Sequence, residues 1–427
     1  VIVVGAGILG LCVAEAASRS GMMVDVVGSS HAPAASLAAA AQLGMKGQAL
    51  SRSGVFAIKL AGQRCYESWL ESWDGPGPKS WFRRGWGRDR VLSDAESAEQ
   101  MRRVAKHERD AGTHFYGPGL AFLSPGRREI RYLQEACVDA PVMLARLRAA
   151  LVSRGVRFWE GDACDKETMT RLLSERRAVC GDRHEPATGL RSIVLAAGAW
   201  SFEILHAWGG TASLGIDLST VRYSLGGTLV LGPGDIVKES GAGLFPDFEN
   251  FVVEGLIDRS QREIAVVTEH VRQAERTGHA SEAAGKSAAL EVNQQRLTSL
   301  TFATAHGTMV HREQLAALAQ AAHSAEIERI KNLFQRHGLG LASEQSSDQL
   351  SQAMRCGIRM RTSSRDFVID SFEAPAELAA CCFDAGFAGM QKLPRVILFT
   401  GANRSGYVYG PMLASRIVDL DMRSVGV

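Results

Sequence analysis

Neither sign of charge is in excess in this chain: 48 Lys and Arg stand against 46 Asp and Glu, for a formal net charge of +2. So small an imbalance gives no electrostatic footing for nucleic acid or an anionic membrane. No apolar run approaches the roughly 20 residues that a membrane-spanning helix needs. The eight cysteines (Cys12, Cys65, Cys137, Cys164, Cys180, Cys356, Cys381 and Cys382) form no C-x-x-C pair and have no His at ligand spacing. No disulfide framework and no metal site are expected, and a reducing, cytoplasmic setting suits them. Val1-Ile2-Val3-Val4 runs directly into glycines and is too short and unflanked to read as a signal peptide. Internal repeats and long charge runs are lacking too.

What is present begins at once. Val1–Val4 reads as a buried strand, Gly5-Ala6-Gly7-Ile8-Leu9-Gly10 follows, and an Ala-, Leu- and Glu-rich stretch to Arg19 reads as a helix. Gly21 ends that helix, and Met22 to Val27 reads as a second strand. The G-x-G-x-x-G therefore sits where its mechanics require, between a strand and a helix of a βαβ unit. Its first Gly makes the turn, its second lets backbone approach a pyrophosphate, and its third allows close helix packing. Gly5, Ala6, Gly7, Ile8, Leu9 and Gly10 are thus candidate dinucleotide contacts. One part of the pattern is missing. The acidic residue that should close the second strand and hold the adenosine ribose is Gly28 here, followed by Ser29 and Ser30. Their hydroxyls are the candidate substitutes, since Asp25 lies inside the strand.

The opening alone does not separate NAD from FAD. A second strand-like segment, Ser192-Ile193-Val194-Leu195, runs into Ala196-Ala197-Gly198-Ala199-Trp200-Ser201, a small-residue passage where a ligand can lie on backbone. Joined to the N-terminal fingerprint, it resembles the D-amino-acid oxidase superfamily of FAD enzymes, in particular its glycine oxidase and sarcosine oxidase branch. Further segments match in chain order. Ser36 to Leu43 is similar to the small-residue loop that passes the flavin, and Gly155 to Ala163 to the strand whose backbone meets the adenine. Val221 to Leu229 resembles the first long strand of the substrate domain, with Phe251–Glu254 and Ile264–Glu269 as its next hairpin. Cys356 to Thr362 resembles a G-L-R-P-x-T passage, and Phe399 to Gly406 the T-G-H-x-R-N-G loop beside the flavin ring. Residues 65–135 and 270–350 carry no recognisable motif.

The resemblance implies an α/β fold: a discontinuous Rossmann-type FAD domain (1–50, 140–215 and 351–427) and an α+β substrate domain on an antiparallel sheet (51–139 and 216–350). Helices are expected over 287–304 and 312–336, and a polar loop over 270–285. The implied FAD contacts are Ser36, Ala39, Ala40, Gln42, Leu43, Ala163, Ala196, Ala197, Gly198, Trp200, Gly401, Ser405 and Gly406. Arg359 matches the family's substrate-carboxylate anchor, a role that suits a bidentate guanidinium; a salt bridge is the alternative. Arg404 matches the Arg of the last loop, and Tyr407 is a pocket candidate by position. Met360 stands where the family has Pro. Covalent flavin attachment would need a Cys at Gly357, and Cys356 is one residue away, so non-covalent FAD is expected. The implied activity is oxidation of the C–N bond of an amine or amino acid by hydride transfer to flavin N5, with dioxygen as acceptor. A biosynthetic pathway is one setting for it. The alternatives are a flavin dehydrogenase with another acceptor and an FAD-binding subunit without its own active site.

Overall fold

The computed structural model describes residues 1–29, 34–39, 41–43, 53–74, 82–84, 87–90, 95, 98–99, 102, 121–123, 129–132, 136–181, 190–210, 221–231, 236–238, 251–252, 339–341, 354–362, 367–387, 393–402 and 406–423. First come β1 (Ile2–Val4), α1 (Ile8–Arg19), β2 (Asp25–Gly28), β3 (Gln42–Leu43) and α2 (Ser53–Asp74). Short strands follow: β4 (Phe82–Arg84), β5 (Gly87–Arg90), β6 (Ala121–Leu123), β7 (Glu129–Tyr132) and β8 (Ala136–Val138). A second α/β stretch holds α3 (Ala140–Ser153), β9 (Arg157–Glu160), α4 (Lys166–Gly181), β10 (Ser192–Leu195) and α5 (Ser201–Ala207). After it come β11 (Val221–Leu231), β12 (Ile236–Lys238), β13 (Phe251–Val252), β14 (Leu339–Leu341) and β15 (Met354–Thr362). The last elements are β16 (Val368–Glu373), α6 (Ala376–Cys382), β17 (Arg395–Thr400) and α7 (Gly406–Arg423).

Six strands make one sheet in the order β16-β17-β10-β1-β2-β9, parallel except for β16 at the edge. The chain steps outward from β1 through β2 to β9, then returns to lay β10 on the other side of β1. Strand order therefore reverses between β1 and β10, and the crevice above their carboxyl ends is where such sheets bind ligands. Both faces are covered, so the central strands are mostly apolar, with buried Asp25 and Ser192 at the starts of β2 and β10 as exceptions. Val3 and Val26 pack with Leu9, Leu147 and Leu413 on one side. On the other, Ile2, Val4 and Val27 pack with Leu172 and Leu378.

The second strand starts later than the sequence suggests, at Asp25 and not at Met22. Gly21, with φ of 73°, ends α1, and the Met22 N–H donates back to the Ala17 carbonyl at 3.0 Å. The Met23 carbonyl accepts from the Val1 amino group at 2.9 Å and from Arg176 Nη2 at 3.0 Å. Met22 thus finishes the helix, and the Met23 carbonyl at the lower edge of the sheet is shared between the chain's amino group and Arg176.

Asp25 is fully buried at that lower edge. It accepts from Arg157 Nε at 2.6 Å, from Trp159 Nε1 at 3.1 Å and from the buried Arg176. Burial pushes its carboxyl up, but the Arg157 hydrogen bond, the Arg176 charge and the Trp159 hydrogen bond outweigh this and hold it below the ordinary aspartate value. A carboxylate whose pKa is lower folded than unfolded contributes stability that is complete above its unfolded pKa, about 3.9, and is lost as pH falls through the folded one. The urea midpoint should therefore fall more steeply below about pH 4 for the parent than for Asp25→Asn, which has no such contribution to lose. Parallel acid profiles for the two proteins would contradict this role.

Outside the parallel sheet, β11 pairs antiparallel with β15 from Val221↔Thr362 to Leu229↔Met354, and β13 adds on its far edge. The ladder runs unbroken through Met360, opposite Tyr223, because Met keeps the N–H that a Pro would remove. Residues 65–135, blank to motif reading, contribute to two small sheets, β3-β8-β4 and β5-β7-β6. The expected strand at 264–269, the helices at 287–304 and 312–336 and the loop at 270–285 lie outside the described residues. No helix of the described residues is long and apolar enough to cross a membrane.

Candidate cofactor and substrate site

The crevice is built from strand ends. At the end of β1 the chain turns at Gly5, with φ of 111°, and the Gly5 N–H donates to the Val27 carbonyl at 2.8 Å. A Cβ on Gly5 would lie 2.5 Å from the Ala196 carbonyl oxygen, so this turn rests on the end of β10. A Cβ on Gly10 would lie 1.8 Å from the Gly5 carbonyl oxygen. The first turn of α1 is thus pressed onto the glycine turn with no room for a side chain. Gly7 is the N-cap, with no side-chain cap of its own and no acidic residue in the first turn of the helix. Ala6 is half-buried, and Ile8 and Leu9 pack into the core. A helix start of this kind presents N–H groups and positive partial charge to an anion, so the cradle fits a pyrophosphate.

One of those N–H groups is engaged from across the crevice. Ile8 N–H donates to Ser36 Oγ at 3.0 Å, and a Cβ on Gly7 would also meet Ser36 Oγ at 3.0 Å. The loop carrying Ser36, Ala38 and Ala39 is held from below by Tyr407, whose buried hydroxyl donates to the Ser36 carbonyl at 2.6 Å. Tyr407 was a pocket candidate by position; here it positions the loop. The next link follows from Pro411 inside α7. Lacking an N–H, Pro411 cannot bond the Tyr407 carbonyl four residues before it. Tyr66 of α2 donates its hydroxyl to that carbonyl at 2.7 Å. Burial, then the neighbouring Cys12, Tyr407 and Cys65, push the Tyr66 phenol well above its usual range, so it stays a donor. Tyr66→Phe would leave a buried carbonyl unpaired and should destabilise the protein by about 1–3 kcal/mol. That would appear as a lower urea midpoint at unchanged m-value; an unchanged midpoint would remove Tyr66 from this chain of contacts.

The far wall comes from β10 and β17. Ala196 N–H donates to the Val4 carbonyl at 2.7 Å and Trp200 N–H to the Ala197 carbonyl at 3.2 Å. Thr400 Oγ1 donates to the Gly198 carbonyl at 2.9 Å, tying the two strand ends together. Gly198 and Gly401 both have positive φ, 60° and 76°, and Trp200 is buried behind them. A Cβ on Gly406 would lie 3.4 Å from Ile8 Cγ2, and one on Gly410 would lie 3.1 Å from Cys12 Sγ. So α7 runs beside α1 in the same direction, and both helix N-termini face one crevice. On the floor, Leu43 is buried, while Gln42 pairs with Cys137 in the β3–β8 ladder. Ala41, buried, is held at φ of 48°, a conformation that costs a residue with a Cβ about 1 kcal/mol.

Strand β15 borders this crevice. A Cβ on Gly357 would meet Ala35 Cα at 2.7 Å and Ala38 Cβ at 2.9 Å, so β15 lies flush on the Ser36 loop. Ile358 and Met360 point the other way, into the core with Trp200 and Val221. Side chains two apart share a strand face, so half-buried Arg359 lies on the face of Gly357, one step along the strand from the loop. Ala163 is buried, and its carbonyl accepts from Trp208 Nε1 at 2.9 Å. Ser29 lies just past β2. The structure thus gathers Gly5–Gly10, Ser36, Ala196–Gly198, Gly401 and Gly406 around one crevice, with Arg359 at its border. Ser30, Ala40, Arg404 and Ser405 lie outside the described residues. The Tyr66 contact was missed by sequence reading, although Pro411 within an otherwise helical pattern was a signal for an orphaned carbonyl.

The family described as DAO, FAD dependent oxidoreductase, matches residues 1–420 of the chain. No curated protein matches it in sequence. Among solved structures, L-amino acid deaminase from Proteus myxofaciens in complex with anthranilate has a TM-score of 0.53 at 12% identity, covering 99% of this chain and 89% of that one. Iminodiacetate oxidase from Chelativorans sp. BNC1 has a TM-score of 0.51 at 15% identity, covering 99% and 95%. L-amino acid deaminase from Proteus vulgaris has 0.51 at 12%, covering 99% and 93%. At these identities the likeness is one of fold.

Proposed function

We propose that this chain, which belongs to the family of FAD-dependent oxidoreductases, oxidises the C–N bond of an amine or amino acid and returns the electrons to dioxygen. The observation that supports it most is the place of Arg359. It lies on the face of β15 that carries Gly357, and Gly357 rests on the Ser36 loop at the cofactor crevice. A guanidinium there can take a substrate carboxylate in two parallel hydrogen bonds and so fix the α-carbon relative to the bound cofactor. FAD supplies the two-electron acceptor when bound. The protein's share is orientation, a dry pocket and a positive charge opposite the carboxylate. Arg404, two positions before α7 in the sequence, is proposed as a second substrate contact. Iminodiacetate oxidase and the L-amino acid deaminases, by their names, act on compounds of this class.

The strands of the parallel sheet all fall within 1–50, 140–215 and 351–427, whereas β15 pairs with β11. On this reading the FAD-binding part resumes after Thr362, and β15 belongs with the substrate part. Non-covalent FAD is consistent with a glycine at 357, which offers no thiol.

Anaerobic mixing of the purified protein with a panel of amines and amino acids tests the reading through the flavin absorbance. Bleaching by an amino acid, followed by recovery on admitting air, is the expected result. Bleaching that air does not reverse would make the protein a dehydrogenase. A flavin that no amine bleaches would overturn the proposal in favour of an FAD-binding subunit.

A further inference from the structure

We propose that Glu160, at the end of β9, receives the adenosine ribose of FAD, in place of the acid absent from the end of β2. The inference rests on the cofactor of the family and is independent of the substrate proposed above. Position 28 is tight for a side chain: a Cβ there would sit 3.0 Å from Ala6 Cβ and 3.3 Å from Ala6 N, so that Ala6 would have to shift by a few tenths of an ångström. An aspartate or glutamate at 28 would push against the glycine turn that cradles the pyrophosphate.

The neighbouring strand supplies a carboxylate at the same height. β9 runs parallel to β2 with Gly28 paired to Glu160, and the Gly161 N–H donates to the Gly28 carbonyl at 3.2 Å. Paired residues of parallel strands share a sheet face and stand about 4.8 Å apart, a gap that the length of a glutamate side chain helps to span. Glu160 is exposed, whereas Phe158 and Trp159 before it are partly buried against opposite cores. It is therefore the residue of β9 that emerges at the carboxyl edge of the sheet.

The other nearby carboxylates have different tasks. Asp25 lies at the opposite end of β2 within its arginine cluster. Asp162 accepts the Cys164 N–H at 2.9 Å, within its own turn. Asp165 takes the N–H and hydroxyl of Thr168 at the start of α4. A carboxylate is well matched to the ribose because it accepts hydrogen bonds without having to donate any.

The test is FAD binding, followed by flavin fluorescence as apoprotein is reconstituted with FAD or with its 2′-deoxyadenosine analogue. Glu160→Gln should raise the Kd for FAD roughly tenfold to a hundredfold, the range for losing a hydrogen bond to a charged group. The parent should lose a similar factor on passing from FAD to the deoxy analogue, and Glu160→Gln should lose little more. Because Glu160 is exposed, the two apoproteins should unfold at the same urea midpoint. Parental FAD affinity in Glu160→Gln would overturn the proposal. So would a deoxy penalty that persists in full in that variant and vanishes in Ser29→Ala, which would give the ribose to Ser29.

Discussion

Gly10→Ala should yield a protein that no longer retains FAD. The added methyl would lie 1.8 Å from the carbonyl oxygen of Gly5. That obstacle is backbone, held by the Gly5 N–H bond to Val27, so no side chain can turn aside to make room. Either α1 withdraws from the turn or the turn leaves the end of β10, and each movement separates the helix N–H groups from the crevice. Overpacking of this kind costs about 3 kcal/mol, and spent on the cradle it would weaken FAD binding by roughly a hundredfold or more. Gly21→Ala is the contrasting variant. An added Cβ there meets nothing within 4 Å, and the site lies at the far end of α1, so only the cost of a positive φ, about 1 kcal/mol, is expected. Flavin-to-protein ratios after gel filtration and fluorescence titration of the apoproteins measure both. A yellow Gly10→Ala protein with parental affinity would mean that the turn is not the pyrophosphate cradle.

Arg359→Ala should lower kcat/KM toward the best amino-acid substrate by roughly two to three orders of magnitude. Truncating one partner of a desolvated charge pair costs about 2–5 kcal/mol, and each ~1.4 kcal/mol is a factor of ten. Arg359→Lys should recover only part, since a point charge cannot reproduce the two parallel hydrogen bonds of a guanidinium. Flavin content should remain at the parental level in both variants, because the cofactor cradle is made by other residues. This separates an anchoring role from a structural one. Steady-state rates that match the parent's in Arg359→Ala would transfer the anchor to Arg404, or point to an amine without a carboxylate.

How much of this was legible in the sequence differs from element to element. The βαβ opening was, because Val1–Val4, the three spaced glycines and Gly21 each carry a local requirement that few other residues meet. The buried strand before Ala196 was also legible, since a parallel strand covered on both faces reads as a nearly continuous apolar run, here Ile193-Val194-Leu195. The start of β2 was not. Met22 bonds back to Ala17 in the helix, and the Met23 carbonyl is capped by Arg176, 153 positions away in the chain. The substrate side was legible as a row of loose matches, and the β11–β15 ladder runs unbroken through Met360.

By itself the sequence determined the glycine turn between β1 and α1, because turn, close approach and helix packing are properties of single glycines and their nearest neighbours. The α/β class followed from the resemblance of several segments in chain order, of which only the βαβ opening is a matter of local hydrophobic pattern. Only the tertiary structure decided which groups share the crevice. Tyr66 on the carbonyl that Pro411 orphans, Tyr407 under Ser36, Gly357 against Ala35, and Glu160 level with Gly28 are pairings between segments 132 to 371 positions apart, except for Tyr407 with Pro411. Such pairings are set by strand order and register. A step of one residue in register turns a side chain to the other face, and nothing within either segment alone records which register its partner adopts.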